Sequence, residues 1–206
     1  MREDIYNVIK TRIVNLEYKP NESLTETAIA KEFEVSRTPI REIFISLACE
    51  NFVTITPGNG IRVSDINLQG LHELISYRII LEKGAARLMG LNATPEDLAS
   101  LCSLREYYNK VESEENVDEM INCDTQFHQI TRKAARNSLL DKNLETVQLQ
   151  FTRIHKLIGH KPARMLSHLD SVIESIENKD VEMIESCMVG HVYNFVKIIK
   201  QYFKII

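Results

Sequence analysis

Ile5, Val8, Ile9, Ile13 and Leu16 recur at three- and four-residue intervals through residues 4–16, the spacing of one buried helical stripe. Pro20 and Asn21 in "EYKPNES" interrupt it. A short second helix then runs to about Phe33 with Ala28, Ile29 and Phe33 inward. Its start is capped either by a Ser23–Glu26 box or by Thr25 alone. After a break at "EVS", a third helix over 37–51 turns Ile40, Ile43, Phe44 and Leu47 inward. The texture then changes. "NFVTITPGNGIRVSD" places β-branched residues on both sides of "PGNG", the composition of a hairpin with a glycine-rich tip. From Leu68 onward six amphipathic helices are predicted: 68–90, 95–113, 117–136, 138–158, 163–177 and 180–203. Breaks as short as "NATPED", "SEEN", "RNS" and "ENKD" make successive helices neighbours in a bundle.

The predicted fold class is therefore mainly α. Three helices and a hairpin outline a winged helix-turn-helix domain over residues 1–66, and residues 67–206 form an all-α six-helix bundle. The chain's 206 residues, 44% hydrophobic and 26% charged, suit such a pair of packed domains. The opening "MREDIYNVIK" lacks the apolar run of a signal peptide, and no segment has the ~18 consecutive apolar residues of a membrane span. Cys49, Cys102, Cys123 and Cys187 are scattered without a CxxC pair, as in a reduced cytoplasmic protein.

Charge alone does not point to nucleic acid. The net charge is -4, and residues 1–66 hold 8 Lys/Arg against 10 Asp/Glu. Placement matters more. In "EVSRTPIRE", Ser36 can cap the third helix and Pro39 falls in its first turn, where a missing N–H costs little. Arg37 and Arg41 share a face opposite Ile40, Phe44 and Leu47, with the Thr38 hydroxyl beside them. A helix N-terminus carrying two guanidinium groups fits a phosphate backbone or guanine edges in a major groove. The segment "LTETAIAKEFEVSRTPIREIFISLACENFVTITPGNGIRV" resembles the DNA-binding domain of the GntR family of bacterial transcription regulators. That resemblance implies DNA contacts from Arg37, Thr38 and Arg41, with Ser36 alongside, and from Gly58, Asn59 and Gly60 at the wing tip. Thr27 and Asn59 stand where many members carry basic residues, which implies fewer phosphate contacts.

In the second half, "YRIILEKGAARLMGLNATPEDLASL" and "CDTQFHQITRKAARNSLL" resemble the FCD ligand-binding domain of the family's FadR-type branch. Such domains dimerise and bind small carboxylates, in many members around a divalent ion held by one Asp and three His. Here Asp124 and His128 are four apart on one helix and can address one ion, although such a pair alone is more often a surface pair or a capped core histidine. His191 lies on the apolar stripe of Ile184, Cys187, Met188, Phe195 and Ile198, so it faces the interior. Leu169 falls at the family's remaining histidine position, and His168 is one residue earlier. The expected ligands are Asp124, His128, His168 and His191, with His155 and His160 as further candidates, and zinc or nickel as the ion. Arg78 sits in a largely apolar helix and needs a partner: either a ligand carboxylate or Glu82 four residues on. Arg153 is a second candidate carboxylate binder.

The expected protein is a homodimeric regulator, not an enzyme, that binds a double-stranded DNA operator as a repressor and senses a small carboxylate effector. Two alternatives stand beside it: a metal-dependent hydrolase-like helical bundle in place of a DNA-binding regulator, or a metal-free regulator that keeps DNA binding and takes an apolar effector.

Overall fold

A computed structural model describes residues 2–58, 60–159 and 166–204. The first helical stripe forms α1 (Arg2–Val14), which buries Ile5, Ile9, Ile13 and Val14. Val8, predicted inward, is 38% exposed, because the i, i+4 series through Ile5, Ile9 and Ile13 fills the stripe without it. Two residues, Ser23–Leu24, form β1, an element the sequence pattern did not predict. Ser23 is thus held in a sheet, and Thr25 alone caps α2 (Glu26–Glu32) by accepting from the Ala28 N–H. At the far end of α2, Glu34 adopts φ 54° and the Val35 N–H reaches back to the Ala30 carbonyl at 3.0 Å. This left-handed cap reverses the chain within three residues and starts α3 (Arg37–Cys49).

Ser36 occupies the N-cap position of α3 but makes no side-chain capping bond. The reason is local. Thr25, Thr94, Asn116 and Asp180 each accept from the backbone N–H of the third helical residue. In α3 that residue is Pro39, which has no N–H to give. Strands β2 (Val53–Thr56) and β3 (Gly60–Val63) complete a three-stranded antiparallel sheet in the order β1-β3-β2. Ile9, Ile13, Ile40, Phe44, Leu47, Phe52 and Val63 meet in one core beneath it.

The rest of the chain is helical: α4 (Leu68–Asn92), α5 (Pro95–Ser113), α6 (Val117–Ala134), α7 (Ser138–Ile158), α8 (Leu169–Glu177) and α9 (Val181–Phe203). The predicted bundle is therefore present, and the predicted start of its fifth helix lies outside the described residues. Thr94 and Asp97 form a reciprocal capping box at the head of α5, with Pro95 in the first turn. One core joins Met89 of α4, Leu101 and Tyr108 of α5, Phe127 of α6, Leu169 and Val172 of α8, and Met188 of α9. Gly90 marks a close approach: a Cβ there would meet Ile184 Cδ1 at 3.0 Å. Among the described residues no helix is long and apolar enough to cross a membrane.

The chain divides into two compact units, Met1–Leu68 with Leu149–Leu157, and Gln69–Gln148 with Ile158–Ile206. Within the first unit, Gln150 donates to the Glu50 carbonyl at 3.1 Å and Arg153 to the Ser64 carbonyl at 2.5 Å.

The caps make a paired prediction. Thr25→Ala should lower stability toward chemical unfolding by about 1 kcal/mol. Ser36→Ala should change it by less than about 0.5 kcal/mol. Equal losses from the two variants would contradict the proline explanation.

Candidate functional sites: an exposed cationic helix end and a buried Asp–His cluster

The first unit presents Ser36, Arg37, Thr38 and Arg41 together on the exposed surface at the start of α3. Ile40, Ile43, Phe44 and Leu47 anchor the opposite face, so the cationic face is fixed by core packing. Arg37 is 68% exposed and rests against Glu26 Oε2 at 2.9 Å. An ion pair so accessible to water contributes little to stability and exchanges readily for a phosphate. The hydroxyl of Ser36, unused as a cap, belongs to the same surface.

The wing hairpin pairs Thr56 with Gly60. Gly58 and Gly60 have φ values of +79° and +80°, and nothing lies within 4 Å of a Cβ built on either. Backbone conformation, not crowding, therefore selects glycine at both. Asn59 lies outside the described residues, as does His160.

The second unit holds a cluster of buried ionisable groups. Arg78 and Glu82 come from one face of α4, Asp124 and His128 from one face of α6, and His191 from α9. All five are buried. His191 Nε2 lies 3.0 Å from Asp124 Oδ1 and 3.0 Å from His128 Nε2, while His128 Nε2 and Asp124 Oδ1 are 3.9 Å apart. Two ligand atoms on one zinc or similar ion are separated by about 3.0–3.4 Å when each bond is about 2.1 Å long. Two of the three separations fall at that spacing, and the third is about half an ångström wider. Asp124 Oδ1 is also buried without a well-directed hydrogen bond. The donor set fits a divalent ion.

Behind the trio, His128 Nδ1 lies 2.9 Å from Glu82 Oε1. Arg78 donates from Nη2 to His128 Nε2 at 2.8 Å and to Gln148 Oε1 at 2.9 Å, while its Nε lies 3.4 Å from Glu82 Oε1. The Phe127 ring stands 5.5 Å from the His128 ring and 5.4 Å from that of His191, forming an apolar wall. Burial alone would raise the carboxyl pKa values. For Asp124, His128, His191 and Arg78 outweigh it and hold the group well below the usual range. For Glu82, His128 and Arg78 bring the value down to about 2.

His168 is not drawn into the trio. It immediately precedes α8, and its Nε2 lies 3.1 Å from Asn194 Nδ2 while Leu169 takes the core position. The ring lies against α9 near Gly190, where a Cβ would stand 3.7 Å from His168 Nε2, an ordinary contact distance. Burial, and then the nearby His191, favour neutral His168. Arg153 belongs to the first unit, where it serves the Ser64 carbonyl. Burial pushes its pKa down to about 10, so it remains a cation at neutral pH. His155 falls in the same stretch. Of the Arg78 partners foreseen, Glu82 is met within the protein, and His128 and Gln148 join it. Gln148 was not foreseen, since a glutamine on an amphipathic helix carries no pattern of its own.

Comparison with known proteins adds an independent observation. The profile of the gntR family of bacterial regulatory proteins matches residues 1–63, and that of the FCD domain matches residues 73–194. The chain is 29% identical over 190 residues to the uncharacterized HTH-type transcriptional regulator YdhC of Bacillus subtilis, covering 90% of this chain and 85% of that protein. It is 24% identical over 205 residues to the HTH-type transcriptional repressor RspR of Escherichia coli, covering 98% and 90%. The solved structure of Escherichia coli McbR/YncC superposes with a TM-score of 0.77 at 23% identity over 98% of both chains, a likeness of fold. These relatives are regulators of transcription, not enzymes.

The buried cluster gives a pH prediction. Because the folded state depresses the Glu82 pKa from 4.5 to about 2, its contribution is complete above about pH 4.5 and is lost as pH falls toward 2. Chelator-treated Glu82→Gln protein should therefore show a shallower loss of stability across that window than the unaltered chain. Identical slopes in denaturant titrations at successive pH values would contradict the assignment.

Proposed function

Since the chain belongs to the GntR family of DNA-binding transcription regulators and carries an FCD domain, we propose that it is a cytoplasmic homodimeric repressor that releases its operator on binding a small carboxylate at a divalent ion. The observation that carries the sensing half is the convergence of Asp124 Oδ1, His128 Nε2 and His191 Nε2 in one buried group. Two imidazoles and one carboxylate suit zinc or nickel. When bound, the ion supplies Lewis acidity that holds a carboxylate oxygen of the effector. Arg78 offers the effector a second, charge-assisted anchor. His168 stands beside His191 as the candidate for a further ligand.

DNA recognition rests on α3. Its N-terminal residues Ser36, Arg37, Thr38 and Arg41 enter the major groove, and the Gly58–Gly60 wing tip approaches the backbone nearby. A repressor role is supported by the name of RspR, a relative along nearly the whole chain. Homodimerisation is supported by α4. Tyr77, Ile80, Gly84 and Leu91 share the face opposite Ala85 and Met89, with Ile80 69% and Leu91 65% exposed. An apolar face of this kind with a glycine at its centre suits contact with a second copy. Two recognition helices related by a two-fold axis would then read a palindromic operator, with half-sites about one helical turn apart.

Two outcomes test the proposal. Arg41→Ala should weaken specific operator binding by about 1–3 kcal/mol if its guanidinium reads a guanine. Fluorescence anisotropy with matched and scrambled duplexes checks this, and unchanged affinity and preference would remove Arg41 from the interface. The purified protein should also carry about one zinc or nickel per chain by elemental analysis, and His128→Ala should lose it. An ion-free wild type would leave only the DNA-binding half of the proposal standing.

A further inference from the structure

We propose that Arg78 is a built-in competitor for the ion: its guanidinium occupies the lone pair through which His128 would ligate, so ion binding turns Arg78 toward the carboxylate and couples the two ligands. This rests on the ion-and-carboxylate reading above and specifies how its two parts are linked.

The first step is the tautomer of His128. Its Nδ1 and Glu82 Oε1 are 2.9 Å apart, off the ideal hydrogen-bond direction but both buried. An imidazole lone pair and a carboxylate lone pair repel at that distance. The Arg78 contact at Nε2 requires a lone pair there, which leaves the ring proton on Nδ1, on the Glu82 side. Glu82 is therefore a positioning residue: it leaves the opposite nitrogen, Nε2, unprotonated in the neutral ring.

The second step follows at Nε2. Arg78 has no lone pair to offer, so its 2.8 Å contact with that nitrogen is donation from the guanidinium to the imidazole. The same nitrogen is the His128 atom that faces His191 Nε2 and Asp124 Oδ1. One lone pair serves one partner. An ion about 2.1 Å from His128 Nε2 would meet a cationic N–H already 2.8 Å from that atom. Like charges so close in a buried site repel strongly, so the guanidinium gives way.

The third step is where the guanidinium goes. Its Nε faces Glu82 and its Nη2 is also held by Gln148. These contacts tether the side chain beside the cluster. The freed donor then faces whatever anion joins the ion, and a carboxylate accepts both from the ion and from the planar guanidinium. Ion and carboxylate consequently strengthen each other's binding by the same factor.

Zinc affinity of the full-length protein, measured by competition with a chromophoric chelator, reads the competition directly. Arg78→Met should bind zinc roughly tenfold more tightly, since a charge-assisted hydrogen bond no longer has to be broken. Saturating acetate should tighten zinc binding by the wild type and leave Arg78→Met unchanged. Equal or weaker zinc binding by folded Arg78→Met overturns the inference. A measurement on unaltered protein guards against misfolding of the variant. Nitrogen-15 spectra should show the zinc-free His128 protonated at Nδ1, and zinc should shift the Arg78 guanidinium resonance. Zinc binding with an unmoved Arg78 resonance overturns the competition alone, whereas absence of zinc binding by the wild type overturns the ion reading as well.

Discussion

Two carboxylates, Glu82 and Asp124, are removed from water in the helical unit, and one guanidinium and two imidazoles are what the fold offers them. Leaving a buried carboxylate uncompensated costs several kcal/mol. Here the histidines and Arg78 outweigh burial and hold both carboxyl groups below the usual pKa range. Meeting that cost draws on three helices. Residues four apart on α4 and on α6 bring paired groups to the same spot, and α9 adds His191 from a stripe that otherwise packs the core. Phe127 closes one side with an aromatic ring, which keeps water away and strengthens every charge interaction inside. Asp124, His128 and His191 are thereby gathered into one buried group.

The winged unit solves a different electrostatic problem. Its charge count favours neither sign enough to attract DNA, so attraction depends on position. The start of α3 concentrates Arg37 and Arg41 on an exposed face, while a core of isoleucine, leucine and phenylalanine holds the other face. Pro39 does two things there. It starts the helix at little cost, and it denies Ser36 the N–H that a capping serine would take. The hydroxyl stays on the exposed surface and does not cap the helix.

Much of this was legible in the residues. Periodic apolar positions located every helix, and the β-branched flanks of "PGNG" located the hairpin. What escaped was short or non-periodic. Strand β1 spans two residues and forms only because β3 pairs with it, a relation no local pattern carries. Val8 fitted a helical stripe that three isoleucines already filled. In the cluster, the Asp124–His128 spacing and the apolar setting of His191 were visible, and the structure brings them together. Glu82 was visible only as the partner of Arg78, because its contact with His128 joins residues distant in sequence. His168 and Arg153 show the converse limit. Residue type suggested both, but their surroundings could not be read: His168 meets Asn194 at the turn before α8, and the stretch carrying Arg153 belongs to the winged unit.

The central claim is that the buried cluster is completed by a divalent ion. Anomalous diffraction from crystals grown with zinc, recorded on both sides of the zinc absorption edge, addresses it without mutation. The account predicts one strong peak in each chain within bonding distance of Asp124 Oδ1, His128 Nε2 and His191 Nε2. Well-ordered density for these three side chains with no anomalous peak between them would contradict it.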